Sequence, residues 1–261
     1  MPAKSFSAEF VAHRGAAASC PENTLPAIQT ALDCGLNWVE IDIQFSADGI
    51  PVVIHDEDLL RTAGAAGLVR KTHSPELARL SVHEQARLGR TFDPTPPPLL
   101  WDAAALLQPY PRARMFVELR VDGIRFMGRT RTMRAIHKAL GDRASQCIIL
   151  SYDTEILELA RSEYGYPIGW VLSDYSQAFR QEAERLCADF LFAHVQDVPA
   201  GECLFKGPWQ WAVYEIESTQ DALDWASRGA GLIESFQACE LAASLGKVQA
   251  PTRPGSSPGN F

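Results

Sequence analysis

The chain lacks any run of about 18 uncharged apolar residues, the minimum for a membrane-spanning helix, and its first residues, Met1 to Glu9, contain no apolar stretch of the export-signal kind. No amphipathic or strongly basic surface-binding segment stands out either. Basic residues are in the minority, 24 Lys and Arg against 32 Asp and Glu, for a net charge of -8. A groove that displaces counterions from nucleic acid needs the opposite balance, so nucleic acid is excluded as a partner. The six cysteines, at 20, 34, 147, 187, 203 and 239, contain no Cys-x-x-Cys pair. A domain of 261 residues that is 46% hydrophobic folds without staples. Together these absences predict reduced thiols and a non-exported, cytoplasmic protein acting on a small molecule; they leave oligomeric state open.

What is present is an alternation of strand-like apolar runs and amphipathic helical segments. Strands are predicted at 9–13, 38–44, 115–119, 147–151, 168–172, 189–194, 210–215 and 231–234. Helices are predicted at 24–34, 129–140, 154–164, 176–187, 219–228 and 238–245. This is the α/β pattern with a (β/α)8 count. A ninth run, Pro51 to Ile54, follows Asp48-Gly49, a strong hairpin signal, and reads as an antiparallel excursion. A two-residue turn there sets residue i opposite residue 97 minus i, bringing Asp42 across from His55. Residues 57–100, with Gly64, Gly67 and the run Pro94-Thr95-Pro96-Pro97-Pro98, are too long for an ordinary connection and predict a lid or small subdomain. One domain, 1–249, is expected, followed by a flexible Pro/Gly/Ser-rich tail over 250–261.

Ionisable residues cluster at the ends of these apolar runs: His13-Arg14, Glu40-Ile41-Asp42, His55-Asp56 and Glu118-Leu119-Arg120. Strand ends are where barrel enzymes carry their chemistry. Glu40 and Asp42, two residues apart on a strand, share one face. Their mutual repulsion, increased by Glu118, calls for a divalent cation, and an all-oxygen set suits Mg2+ or Ca2+. His13 and His55 can act as acid and base at neutral pH. Arg14 and Arg120 offer guanidinium forks to phosphate oxygens. That inventory is what metal-assisted phosphodiester cleavage requires. Trp211, in a strand of the second half, is a candidate pocket wall.

The residues Ala12-His13-Arg14-Gly15, Pro21-Glu22-Asn23-Thr24-Leu25, Glu40-Ile41-Asp42, Asp48-Gly49 and Val52-Val53-Ile54-His55-Asp56 resemble, in order and spacing, the signature of the glycerophosphodiester phosphodiesterases. The similarity continues through Leu60-Arg61-Thr62, Glu118-Leu119 and Gly231-Leu232-Ile233, thinning after residue 150. It implies a TIM barrel with an insertion after the second strand, and hydrolysis of glycerophosphodiesters to sn-glycerol 3-phosphate and an alcohol, a step of lipid and glycerol metabolism. It places the acid–base pair on His13 and His55, the metal on Glu40, Asp42 and Glu118, and the phosphate on Arg14. Asn23 and Glu22 would brace the first loop or touch substrate, with capping of the helix near Thr24 as the structural alternative. Two departures stand out. Arg120 replaces the family's usual Lys, and Ile233-Glu234-Ser235-Phe236 replaces a Thr-Asp pair followed by Pro, which bears on the second-half wall of the pocket. A lysophospholipase D-like activity and a non-catalytic phosphodiester-binding role are the alternatives.

Overall fold

The computed structural model describes residues 6–248; the expected tail over 250–261 lies outside them. Eight parallel strands close into a barrel: β1 (Glu9–Ala12), β2 (Trp38–Phe45), β4 (Arg114–Leu119), β5 (Cys147–Ser151), β6 (Ile168–Val171), β7 (Phe190–His194), β8 (Gln210–Tyr214) and β9 (Leu232–Ser235). Closure comes from β1, which pairs with both β2 and β9. The short β3 (Pro51–Val53) runs antiparallel on the end of β2. The predicted strands and helices all form, with ends shifted by at most one residue. Among the described residues no helix is long and apolar enough to cross a membrane.

Strand parity separates two apolar layers. Val11, Phe116, Ile148, Leu150, Val171, Phe192, Ala212 and Leu232 fill the barrel. Their strand neighbours, among them Ile41, Ile43, Met115, Val117, Leu191 and Val213, face the helices. Phe116 is fully buried and meets Phe190 and Phe192 edge-on, with centroids 5.1 and 4.9 Å away. The first helix, Leu25–Asp33, begins where Thr24 accepts a hydrogen bond from the Ala27 amide, has a proline in its first turn, and buries Ala27, Ile28, Ala31 and Leu32. Gly15 lets the β1 loop cross this helix: at φ 79° a Cβ would lie 2.6 Å from the carbonyl carbon of Ala27.

Two expectations need correction. The hairpin register is Ile43 opposite Val53 and Gln44 opposite Val52, a sum of 96 and not 97. Ser46 and Ile50 close the hairpin around three residues, with Gly49 at φ 76° completing the loop. That is the three-residue alternative to the two-residue turn. Asp42 therefore lies level with Ile54, whose amide donates to its carbonyl at 3.0 Å, and His55 stands one residue beyond. The second correction is a disulfide between Cys34 and Cys239, with Cα atoms 6.3 Å apart across 205 residues of sequence. It ties the end of the first helix, which packs on β2, to the start of the last, Ala238–Ser244, which packs on β1, a proximity that no local spacing reveals. The expectation of six reduced thiols is corrected to four free cysteines.

The segment between β3 and the helix Leu100–Ala105 has an apolar nucleus of its own. Leu59, Val69, Leu77 and Val82 pack with Val52 and Ile54 of the hairpin.

Of the four free cysteines, Cys187 and Cys203 are exposed, whereas Cys20 and Cys147 are buried and burial pushes the Cys147 thiol up to about 12. A thiol-reactive dye at pH 8 should therefore label two cysteines of the native chain quickly and four after unfolding without reductant. Six labels on the unfolded, unreduced chain would contradict the disulfide.

Candidate active site at the barrel mouth

The inward side chains that follow the apolar filling form the site. Two residues beyond Val11, Phe116, Leu150, Ala212 and Leu232 come His13, Glu118, Tyr152, Tyr214 and Glu234, all lining one cavity of about 140 Å3 at the C-terminal ends of the strands. Arg14, Asp42, His55, Arg120 and Glu215 complete its polar lining. On β2, Glu40 and Asp42 share the inward face, and the parallel register sets Asp42 beside Glu118. Both β2 acids are buried, each 1% exposed.

Electrostatics at this mouth are dominated by acid. One ligand oxygen from each of Glu40, Asp42 and Glu118 lies within 4.8 Å of the others. At that spacing each ionised pair repels by about 3 kcal/mol at an effective dielectric of about 20. Burial and then Asp42 raise Glu40 well above the carboxylate range, and the same causes bring Glu118 to about 7. Burial works against Asp42 as well, yet Arg14, His55 and Arg120 hold it below its ordinary value. Asn23 supports this ionised state: its Nδ2 donates to Asp42 Oδ2 at 2.9 Å, and its Oδ1 accepts from the Asp42 amide at 3.0 Å. Oε2 of Glu40 accepts from the Arg14 amide at 3.1 Å, while its Oε1 is buried without a partner. An orphaned carboxylate oxygen among three converging acids fits a hard divalent cation, with Glu40, Asp42 and Glu118 as its holders.

Positive charge reaches the cavity from two sides. Arg14, at φ 57°, turns its Nε to within 3.2 Å of Asp42, while its NH1 donates to Glu22 at 2.9 Å. Arg120 donates to Glu118 at 2.5 Å and approaches Asp42 at 3.5 Å. The two histidines differ in surroundings. His13 is stacked on Phe236, and burial followed by Arg14 lowers it to about 3, so the ring is neutral throughout the neutral range. His55 places Nδ1 2.7 Å from Asp56 Oδ1. Burial opposes the Asp56 charge, but Arg61 and His55 hold that carboxylate at about 2. Arg61 in turn clasps Glu22 through NH1 and NH2 at 2.8 and 2.7 Å, closing a chain Arg14–Glu22–Arg61–Asp56–His55 across the mouth.

The structure thus gathers His13, His55, Arg14, Arg120, Glu40, Asp42 and Glu118 around one point. Asn23 is buried beneath Asp42 and braces it, and Thr24 caps the helix, so the two readings of that segment belong to neighbouring residues. The expectation for Trp211 is corrected: it lies in the layer between barrel and helices, its Nε1 donating to the Phe205 carbonyl at 2.8 Å. Parity makes Tyr214, three residues on, the aromatic wall of β8, and its hydroxyl lies 3.2 Å from that of Tyr152. Arg61, the tyrosines and Glu234 were absent from the sequence-derived site. The i+2 rule locates Tyr152, Tyr214 and Glu234, but nothing local signals that Arg61 folds back from the insertion.

A closed (β/α)8 barrel whose mouth combines buried carboxylates, two histidines and two arginines has the architecture of a phosphoester-cleaving enzyme. Residues 13–202 match the glycerophosphoryl diester phosphodiesterase family, and the chain belongs to it. It is 38% identical over 95 residues to human glycerophosphodiester phosphodiesterase 1, a stretch covering 36% of this chain and 29% of that protein. Over 97 residues it is 34% identical to a glycerophosphodiester phosphodiesterase of Caldanaerobacter subterraneus subsp. tengcongensis, covering 37% of this chain and 39% of that one. These matches therefore span less than two-fifths of either relative. In structure it is similar to an Oleispira antarctica phosphodiesterase in complex with the product sn-glycerol 3-phosphate, with TM-score 0.80 and 25% identity over 92% of this chain and 98% of that one. An Agrobacterium tumefaciens glycerophosphodiester phosphodiesterase shares the fold at TM-score 0.70 and 22% identity, covering 90% and 99% of the two chains.

Because Glu118 titrates at about 7, cation binding below that pH must displace its proton. Adding Mg2+ or Ca2+ in weak buffer near pH 6.5 should release protons, and affinity should rise from about pH 6 to 8 as Glu118 loses its own. Release in the Glu118→Gln variant equal to that of the wild type would refute this origin.

Proposed function

We propose that the chain hydrolyses small glycerophosphodiesters to sn-glycerol 3-phosphate and an alcohol, with a divalent cation, Mg2+ or Ca2+, and a His13/His55 acid–base pair. The observation that carries this is the convergence of two imidazoles, three carboxylates and two guanidiniums on one small polar cavity. Membership of the family and likeness to a product-bound phosphodiesterase support the same reading.

Each group has a distinct task. Arg14 and Arg120 reach the cavity with donors that can hold the two non-bridging phosphoryl oxygens and offset charge that grows on them during attack. Neutral His13 accepts the proton of the attacking hydroxyl, water or the adjacent glycerol hydroxyl, as the new P–O bond forms. His55, oriented through Nδ1 by Asp56, delivers a proton to the departing alkoxide as the old P–O bond breaks. A cation held by Glu40, Asp42 and Glu118 supplies Lewis-acid polarisation of the phosphoryl group. The two tyrosines border the region open to the alcohol; burial raises both phenols, so each stays protonated and can donate. The cavity's size and polar lining favour a headgroup-sized diester over a lysophospholipase D-type substrate with an acyl chain.

The direct test is release of glycerol 3-phosphate from glycerophosphocholine and glycerophosphoethanolamine with Mg2+, Ca2+ or EDTA. Cation-dependent release is expected from at least one of them. His13→Ala and His55→Ala should each lower kcat by about 10²–10⁴-fold in a folded protein. Release undiminished by EDTA, or near-normal turnover in both variants, would overturn the mechanism. A folded protein that binds these diesters without turning them over would place it among non-catalytic binders.

A further inference from the structure

Glu234 reaches into the cavity from β9 with no cation paired to it. It is 3% exposed and takes no part in the chemistry above. Its Oε1 is one of few buried side-chain atoms without a hydrogen-bond partner, and Nδ1 of His13 and Oε1 of Glu40 are two others. One ligating atom from each of these three residues lies within 4.8 Å of the others. An unsatisfied buried acceptor forfeits its hydration without a replacement, and the loss is greater when it is charged. A cation can serve all three at once.

We propose that His13, Glu40 and Glu234 form a second cation site, suited to a borderline transition metal of the Zn2+ class, and that its occupation switches the enzyme off. The donor set separates it from the first site. One imidazole nitrogen with two carboxylates suits Zn2+, whereas the all-oxygen trio Glu40, Asp42 and Glu118 suits Mg2+ or Ca2+. Inhibition follows from the valence of the ring. Bound through the nitrogen that faces substrate, His13 is blocked outright. Bound through the other, its remaining nitrogen carries the ring proton and cannot accept a second. Both trios also draw on Glu40, so filling the second weakens the first. The inhibitory consequence rests on His13 being the base; the metal site does not.

The exposed thiols of Cys187 and Cys203 would capture Zn2+ by themselves, so the test uses the Cys187→Ser/Cys203→Ser protein. Calorimetric titration of Zn2+ in saturating Mg2+ should show one equivalent bound. Affinity should fall at least tenfold in Glu234→Gln and, separately, in His13→Ala. The imidazole nitrogen resonances of His13 should shift on Zn2+ addition, a readout that requires neither variant to fold. Mg2+-supported hydrolysis should be lost over the same Zn2+ range. No bound equivalent, binding unaffected by either substitution, or an unshifted His13 would overturn the site, and binding without inhibition would overturn the switch. Zn2+ binding in the expected pattern by a protein that hydrolyses no diester would refute the phosphodiesterase reading and leave the site standing. Hydrolysis without Zn2+ binding would do the reverse.

Discussion

Mutual repulsion of carboxylates buried at the mouth of the barrel governs the arrangement of everything around them. Glu40, Asp42, Glu118 and Glu234 are drawn together by three strand ends, far from the water that would screen them. The fold answers with Arg14 and Arg120, and with Asn23, which gives Asp42 one hydrogen bond and receives another. Two guanidiniums do not balance four carboxylates. The surplus appears as raised proton affinity at Glu40, Glu118 and Glu234, and it is the affinity with which the site would draw a cation. A protein with only stability to serve would replace such a cluster with apolar side chains; retaining it is intelligible as function.

The barrel makes this concentration possible because its interior is dry and solid. Phe116, Phe192 and their neighbours plug the lower part, so the next inward residue on each strand emerges at the mouth with only one direction open. The insertion contributes from outside. Arg61 reaches back to Glu22 and Asp56, coupling the residue that positions Arg14 to the residue that orients His55. The proposed phosphate-holding Arg14 and proton-delivering His55 thus share one ion-pair chain, and movement of the insertion would disturb both.

Much of this architecture was legible in the sequence because it follows period-2 and period-3.6 patterning. Glu40 and Asp42 share a face by spacing alone, and His13 and Glu118 follow apolar runs of strand character. The same parity, applied to β8, would have chosen Tyr214 over Trp211; Trp211 was favoured for its residue type when its place beside inward Ala212 turned it outward. The hairpin register was missed by one residue because Asp48-Gly49 suits a two-residue and a three-residue turn alike, and only the Ser46–Ile50 pairing decides between them. Cys34–Cys239 and the reach of Arg61 depend on which distant segments become neighbours, which no local pattern encodes.

If the buried carboxylates hold a cation as proposed, the stability of the native state must rise with it. Thermal unfolding of the metal-stripped protein, followed while Mg2+ or Ca2+ is titrated in at pH 7.5, measures this without reference to any substrate. Binding to the native state alone should raise Tm steadily with cation concentration, by RT ln(1 + [L]/Kd) in free energy. Glu118→Gln, which removes one acid, should raise the starting Tm and shrink the rise. A Tm indifferent to the cation in the wild type, or an undiminished rise in that variant, would contradict the account.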